Sequence, residues 1–420
     1  MYSQVKNYIS LIKLRKIAIA SAIVGFMSAL LAVTLKHVTE QYESRFFVQA
    51  EKSVWLMLIY PIVGLSLIFM LRQYLFEKKP NKGITEIFES TQSKKKNLPS
   101  YKIPSHFFNG FLTVVFGGST GIEVSTVVAS AAIGSVAQQK ANFFREYKTE
   151  LICAGVSAGI TALFSSPVAG FLFAYEVISK KVSRVFALTT LIAITVASLL
   201  IYTLGESPLF TIDIIGWHYR AIPYFLVLGI LAGLNSIYLT RWVLFFKTRF
   251  AQIGQTRKIL LGALILSGAL LLFPQLYGDG YHAIREILRN PDDTMTIPFA
   301  LTVIGVMLLK PIVTSATLAS GGDGGVFAPS MFIGAFLGLL LAVSINVWFG
   351  ADVLPVNFMI IGMAAVLSAS IHAPFTAVFL VCGVVGDYML FFPILAACLI
   401  SKFTAKAIYP QTVYTFSKAR

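Results

Sequence analysis

The sequence predicts an all-α integral membrane protein, a bundle of apolar helices of which several are broken or strongly tilted. Three observations predict it. Of 420 residues 56% are hydrophobic and 13% charged, with a mean hydropathy of +0.77, whereas a soluble chain of this length needs about a quarter of its residues charged to cover its surface. Eleven long apolar runs leave only short polar connections, and about 20 such residues cross a bilayer core as a helix. Alternating strands with turn residues are absent, which argues against an outer-membrane barrel. Soluble enzymes, nucleic-acid binders and disulfide-stapled secreted domains are thereby excluded.

The first run, 17–35, follows Lys13, Arg15 and Lys16 in the manner of a signal peptide, but the many later spans and the lack of a cleavage site predict a retained helix. Runs at 54–71, 110–135, 151–178, 187–204 and 222–246 come next, then 259–274, 297–317, 325–348, 357–371 and 375–402. Several exceed one span or carry Gly, Ser, Thr or Pro at mid-membrane, hence the expectation of broken helices. The chain reads as a single transmembrane domain over 1–420, without a soluble domain at either end.

Net charge is +15, yet the location of the charge matters more than its total. Basic residues cluster in interspan segments: Lys13, Arg15 and Lys16; Lys78, Lys79, Lys94, Lys95, Lys96 and Lys102; Lys180, Lys181 and Arg184; Lys247, Arg249, Arg257 and Lys258. By the positive-inside rule these mark the cytoplasmic face, with both termini cytoplasmic in a cell (inner) membrane. Glu40, Glu43, Glu206 and Asp213 are read as outside loops. A polybasic lipid or nucleic-acid patch is the competing explanation. Cys153, Cys382 and Cys398 lie in apolar runs and the five histidines are scattered, so no disulfide framework, metal site or cofactor is expected.

An internal match is the most informative feature. Gly117–Glu123 (GGSTGIE) and Gly321–Phe327 (GGDGGVF) lie 204 residues apart, and Gly155–Pro167 resembles Gly362–Pro374 at an offset of 207. Two near-equal offsets predict a duplicated unit with halves at about 17–204 and 222–403. Each Gly-rich element opens a run that reads as helix, so each presents free backbone N–H groups to an anion, with glycines allowing close approach. Helix-packing glycine explains the same residues equally well.

Glu123 decides between them. A carboxylate inside an apolar run is costly and points to ion or proton handling; among helix N-terminal amides it can take the anion's place when charged and leave when protonated. A structural glutamate held by a hydroxyl is the alternative. Glu176 is ambiguous, a boundary carboxylate pairing with Lys180 at i,i+4 or a functional group.

The motifs resemble the CLC family of chloride channels and proton/chloride antiporters. GIEVS at Gly121–Ser125 looks like the family's GREGP element, and GGVFAPS at Gly324–Ser330 is similar to its GxFxP element, the most specific match. PNKGITEI at Pro80–Ile87 sits where the family has GSGIPEI, and PQTVYT at Pro410–Thr415 looks like the segment bearing its pore tyrosine. The resemblance implies an inverted-repeat helical bundle, a homodimer with one pore per subunit, and chloride or a similar anion, with protons, as the transported partners. It implies Glu123 as gate, and an anion site from Lys82, Gly83, Gly121, Ile122, Gly325, Val326, Phe327 and the Tyr414 hydroxyl, with Tyr409 as the competing tyrosine.

Departures matter too. Val124 and Ser125 replace the Gly and Pro after the glutamate. Lys82 replaces a small residue beside the ion, and either binds anions there or snorkels to water. Val177, after Glu176, stands where proton-coupled members carry a second glutamate on the proton path, which favours a channel or weak coupling. No cystathionine-synthase-type tail is expected. Two other classes compete: a proton-coupled organic-solute transporter using Glu123, and a membrane-embedded enzyme, for which no nucleophile, base or metal set exists.

Overall fold

The computed structural model describes residues 2–79, 81–93, 96–140, 142–212, 214, 216–289 and 296–414. Pro80, Lys94, Lys95, Asp213 and Thr415, on which sequence readings rest, lie outside the described residues. The helices in chain order are α1 (Tyr2–Glu51), α2 (Val54–Tyr74), α3 (Ile84–Gln92), α4 (Lys102–Val115), α5 (Glu123–Gln139), α6 (Lys148–Phe164), α7 (Pro167–Phe173) and α8 (Arg184–Thr203). There follow α9 (Ile222–Ala251), α10 (Gln255–Leu272), α11 (Tyr281–Arg289), α12 (Ile297–Ser320), α13 (Phe327–Phe349), α14 (Pro355–Ile371), α15 (Pro374–Val385) and α16 (Phe391–Ile408). Among the described residues, eight helices are long and apolar enough to cross a membrane, and the bundle presents large apolar side chains such as Trp55, Leu264, Trp348 and Phe392 outward, where lipid replaces water as the solvent.

Long runs break where the backbone chemistry requires it. Run 110–135 divides into α4 and α5 around Gly117–Ile122, and 375–402 divides into α15 and α16. Run 151–178 ends α6 on Ser165 in the left-handed region (φ 51°), and Pro167 opens α7. The same construction closes α14 on His372 (φ 57°) before Pro374 opens α15. Proline lacks the N–H that a continuous helix would need, and at these two sites, after a left-handed residue, it begins a new one. After α7 the chain continues as a π-helical turn over Ala174–Ser179.

Some charged residues read as loops are helical. Glu40 and Glu43 continue α1 well past the apolar run, because α1 runs on against the protein interior: Glu43 accepts from the Asp279 N–H and Glu40 pairs with Arg285 at 3.1 Å. Lys13, Arg15 and Lys16 also lie on α1, Lys247 and Arg249 on the last turns of α9, and Arg257 and Lys258 on the first turns of α10. Glu206 does lie in a loop, where it binds Lys36 at 3.0 Å and also His37.

The two Gly-rich elements meet. Gly121 and Gly325 form an antiparallel bridge, and around it hydrogen bonds run reciprocally: Ser119 N–H donates to Thr317 Oγ1 at 3.2 Å and Asp323 N–H to Thr113 Oγ1 at 2.8 Å. Within each element Gly118 N–H donates to the Thr113 carbonyl and Gly322 N–H to that of Thr317, at 2.8 and 2.9 Å. This crossing puts the starts of α5 and α13 side by side in the protein interior. Close helix packing backs it, since α13 and α14 touch through Gly334 and Gly362, where an added Cβ on Gly334 would come 2.5 Å from the Gly362 carbonyl carbon.

Candidate functional site: a buried glutamate between two helix starts

Glu123 is the first residue of α5 and its side chain is buried, 1% exposed. One carboxylate oxygen, Oε1, accepts from the Tyr281 hydroxyl at 2.6 Å, while Oε2 has no hydrogen-bond partner among the described residues. The carboxylate lies over Gly121, where a Cβ would come 2.6 Å from Oε1. It also faces its own backbone N–H and that of Ala328 in the first turn of α13. The group therefore sits between two helix N-termini, each carrying partial positive charge and unbonded N–H groups. Such helix starts attract negative charge.

Below it on the basic side lies a cavity of about 170 Å³. Gly83, Gly325, Val326 and Tyr414 line it, with Lys247 and Asp323 also in its wall. Gly83 caps α3 with φ 61°, a conformation that favours glycine. Tyr414 is 8% exposed and its hydroxyl has no hydrogen-bond partner among the described residues; it points at Gly325, 3.5 Å from where a Cβ would stand. Val326 caps α13, so its N–H is one of the free amides at that helix start. Val124 divides cavity from glutamate, packed 3.5 Å from the Cβ position of Gly83 and against Gly325. Ile122 caps α5, and the Phe327 ring is buried against Phe173 at 5.7 Å.

Of the two readings of Lys82, the structure shows the outward one. The residue is at the cavity wall, but its side chain is 56% exposed and its ammonium lies 3.7 Å from Glu89. The left-handed turn at Gly83 and the bond from Lys82 N–H to Glu86 (2.6 Å) send the side chain outward. Tyr409 lies away from the cavity, beneath Arg241 and bonded to Gln411 at 3.3 Å. Glu176 makes no ion pair with Lys180, because the π-helical turn ends at Ser179 and Lys180 adopts φ 56°. Instead its Oε2 accepts from the Thr376 N–H and hydroxyl, both at 2.7 Å, at the start of α15. Val177 is buried and apolar.

Several residues here escaped the sequence reading. Tyr281, the partner of Glu123, opens the short α11 within GDGYHAI, and Asp279 holds its N–H at 2.8 Å. Buried Lys310 of α12 bonds the Gly278 carbonyl at 3.2 Å and lies 4.6 Å from the Phe332 ring. Together with Glu43 and Asp279 it makes a buried charged cluster behind the glutamate. A charge inside an apolar run, as Lys310 is in LLKP, is the signal that could have singled it out. On the opposite side of the bundle, about 710 Å³ of open space is lined by Lys36, His37, Glu40, Glu206 and Arg285.

A helical membrane bundle whose broken helices point their N-termini at a buried acid defines the class of anion-handling membrane proteins. Residues 63–406 match the pattern of the family described as "Voltage gated chloride channel", and the chain belongs to that family. It is similar to "Putative chloride channel protein ClcB-like" of Ralstonia nicotianae, 26% identical over 378 residues that cover 87% of this chain and 86% of that one. It is also similar to "Voltage-gated ClC-type chloride channel ClcB" of Escherichia coli strain UMN026, 26% identical over 406 residues and 94% of each chain. Among solved structures, a slow cyanobacterial Cl−/H+ antiporter superposes with TM-score 0.82 at 22% identity, covering 96% of this chain and 97% of that one. A CLC-type fluoride/proton antiporter superposes with TM-score 0.80 at 24% identity over the same shares. The fold is that of CLC transporters.

Proposed function

We propose that this multi-pass membrane protein passes chloride or a similar monovalent anion through each subunit, with Glu123 as the gate. The observation that carries the reading is the Glu123 carboxylate between the starts of α5 and α13, one oxygen held by Tyr281 and the other without a hydrogen-bond partner among the described residues. Charged, it competes with the anion for those amides; protonated, it loses that competition and leaves. The anion site is then made of Gly83, Gly121, Ile122, Gly325, Val326 and Phe327 with the Tyr414 hydroxyl, reached from the basic-side cavity. Lys82 keeps its ammonium outside this site, against Glu89.

Weak or absent proton coupling is the first reading, supported by Val177, which cannot titrate, and by Glu176, whose carboxylate caps α15. Antiport is the second, favoured by the solved relatives of the same fold that are described as proton antiporters. Anion and proton fluxes measured together in liposomes decide. Anion efflux that depends on the protein supports the pathway, and a proton movement stoichiometric with it selects the antiporter. Flux only with an organic solute and a proton gradient would refute both.

The reciprocal bonds around Gly121 and Gly325 support two related halves, about 17–204 and 222–403. The basic face is the cytoplasmic one, with both termini on that side of a cell membrane, and two copies assemble as a homodimer. Native mass measurement in detergent tests the dimer, and accessibility of single cysteines from either side tests the sidedness.

A further inference from the structure

With Glu176 engaged and Val177 apolar, the basic-side cavity still has one carboxylate in its wall among the described residues, Asp323. Its Oδ2 accepts from Asn81 Nδ2 at 2.7 Å and lies 2.9 Å from His106 Nδ1 of α4, at an oblique angle. Its Oδ1 accepts from the Gly324 N–H at 3.1 Å. His106 has no exposed surface, and its Nε2 has no hydrogen-bond partner among the described residues. Neither ring nitrogen here has an aligned partner among the described residues, and whichever nitrogen of a neutral imidazole carries the proton, the other is a bare lone pair. A buried polar atom without a partner is costly, and this one is a proton acceptor that the rest of the site does not use.

The charges around the pair come from several elements. Arg72 of α2 faces Asp323, and buried Lys102 bonds Glu86 at 2.8 Å and Asn81 Oδ1 at 3.0 Å. Lys247 of α9 and the outward-turned Lys82 are also at the cavity wall. Uncharged groups meet α4 from its other neighbours: Ser125 of α5 against Gly110, and the Tyr42 ring of α1 against Phe111. Arg72 and Lys102 balance Asp323 and Glu86, so this cluster is neutral while His106 is neutral. One added proton leaves a net positive charge beside the cavity.

We propose that Asp323 and His106 form a binding site for one proton on the basic-side cavity, and that this proton and an anion in the cavity favour each other's binding. The proposal rests on the anion-pathway reading and adds to it a second proton site, distinct from Glu123. One proton from cavity water adds to the pair, taking it from one negative charge to neutral, and the same proton returns to water when the anion leaves. By linkage the effect is reciprocal. A unit charge several ångströms from the anion, at the effective dielectric of a partly wet interior, changes anion affinity by on the order of tenfold.

Titration calorimetry of chloride into the full-length Glu123→Gln protein, which lacks the gate's own titration, tests it. Runs in two buffers of different ionisation enthalpy, repeated across pH, report protons taken up on binding. The expected result is proton uptake and about tenfold tighter chloride binding on the acid side. Both are lost when Asp323→Asn or, independently, His106→Gln is added to that protein; where one double variant fails to fold, the other carries the test. Chloride binding by Glu123→Gln without proton uptake, or uptake that survives both additions, overturns the proposal and leaves the anion site standing. No chloride binding at all would overturn the anion-pathway reading, and this one with it.

Discussion

At the scale of single residues, function turns on what holds the Glu123 carboxylate. Glu123→Gln carries an amide that resembles the protonated acid and cannot compete as a charge for the anion. Anion flux in liposomes should therefore persist or rise, with its pH dependence weakened; a folded variant with no flux would remove Glu123 from the gate. Tyr281→Phe deletes the hydroxyl that donates to Oε1 at 2.6 Å. A hydrogen bond to a charged acceptor contributes about 1.5–3 kcal/mol, so the gate should leave its closed position more readily and efflux should rise by about tenfold or more. Unchanged flux in Tyr281→Phe would mean that the bond does not hold the gate shut. Lys82→Ser removes an exposed pair with Glu89, and such pairs contribute about 0–1 kcal/mol. Chloride affinity and the flux-versus-pH curve should both stay within about twofold of wild type; a larger change would return the ammonium to the ion's vicinity.

Helix starts are the working parts at the scale of elements. Val326 contributes an N–H that survives any side-chain change, so Val326→Ala should leave chloride affinity nearly unchanged. Gly325→Val should damage it, because even a Cβ there would come 2.8 Å from Val124 Cβ and crowd the bridge to Gly121. Calorimetry on both variants checks this, and equal tolerance would count against amide binding at the start of α13. Much of this level was legible in the sequence: the glycine elements, the helices they open and the breaks at Pro167 and Pro374 all follow from backbone chemistry. The short α3 and α11 were not legible as helices. They span 84–92 and 281–289, about two and a half turns each, too short for an apolar run. The extension of α1 through Glu40 and Glu43 was hidden because charged residues in a helix look like loop until their buried partners are known.

For the whole molecule, membrane character rests on composition, and cohesion rests on small residues where helices touch. Gly334→Leu should wedge α13 from α14, since Gly334 faces the Gly362 backbone; overpacking of this kind costs about 1–3 kcal/mol. A thermal melt in detergent should show a clear drop in midpoint, and an unchanged melt would mean that this seam relaxes freely. By itself the sequence determined the class of protein, the broken helices, the family, and Glu123 as the acid worth attention, because each is written in local chemistry: hydropathy, proline and glycine positions, and the cost of a charge among apolar residues. Tertiary structure alone decided that Tyr281 meets Glu123 across 158 positions of chain, that Tyr414 and not Tyr409 lines the cavity, and that Lys82 turns outward while Asp323 and His106 turn inward. The physical reason is that such pairings depend on how distant helices pack and on a few backbone turns, such as the one at Gly83, that aim a side chain by angles no sequence pattern records.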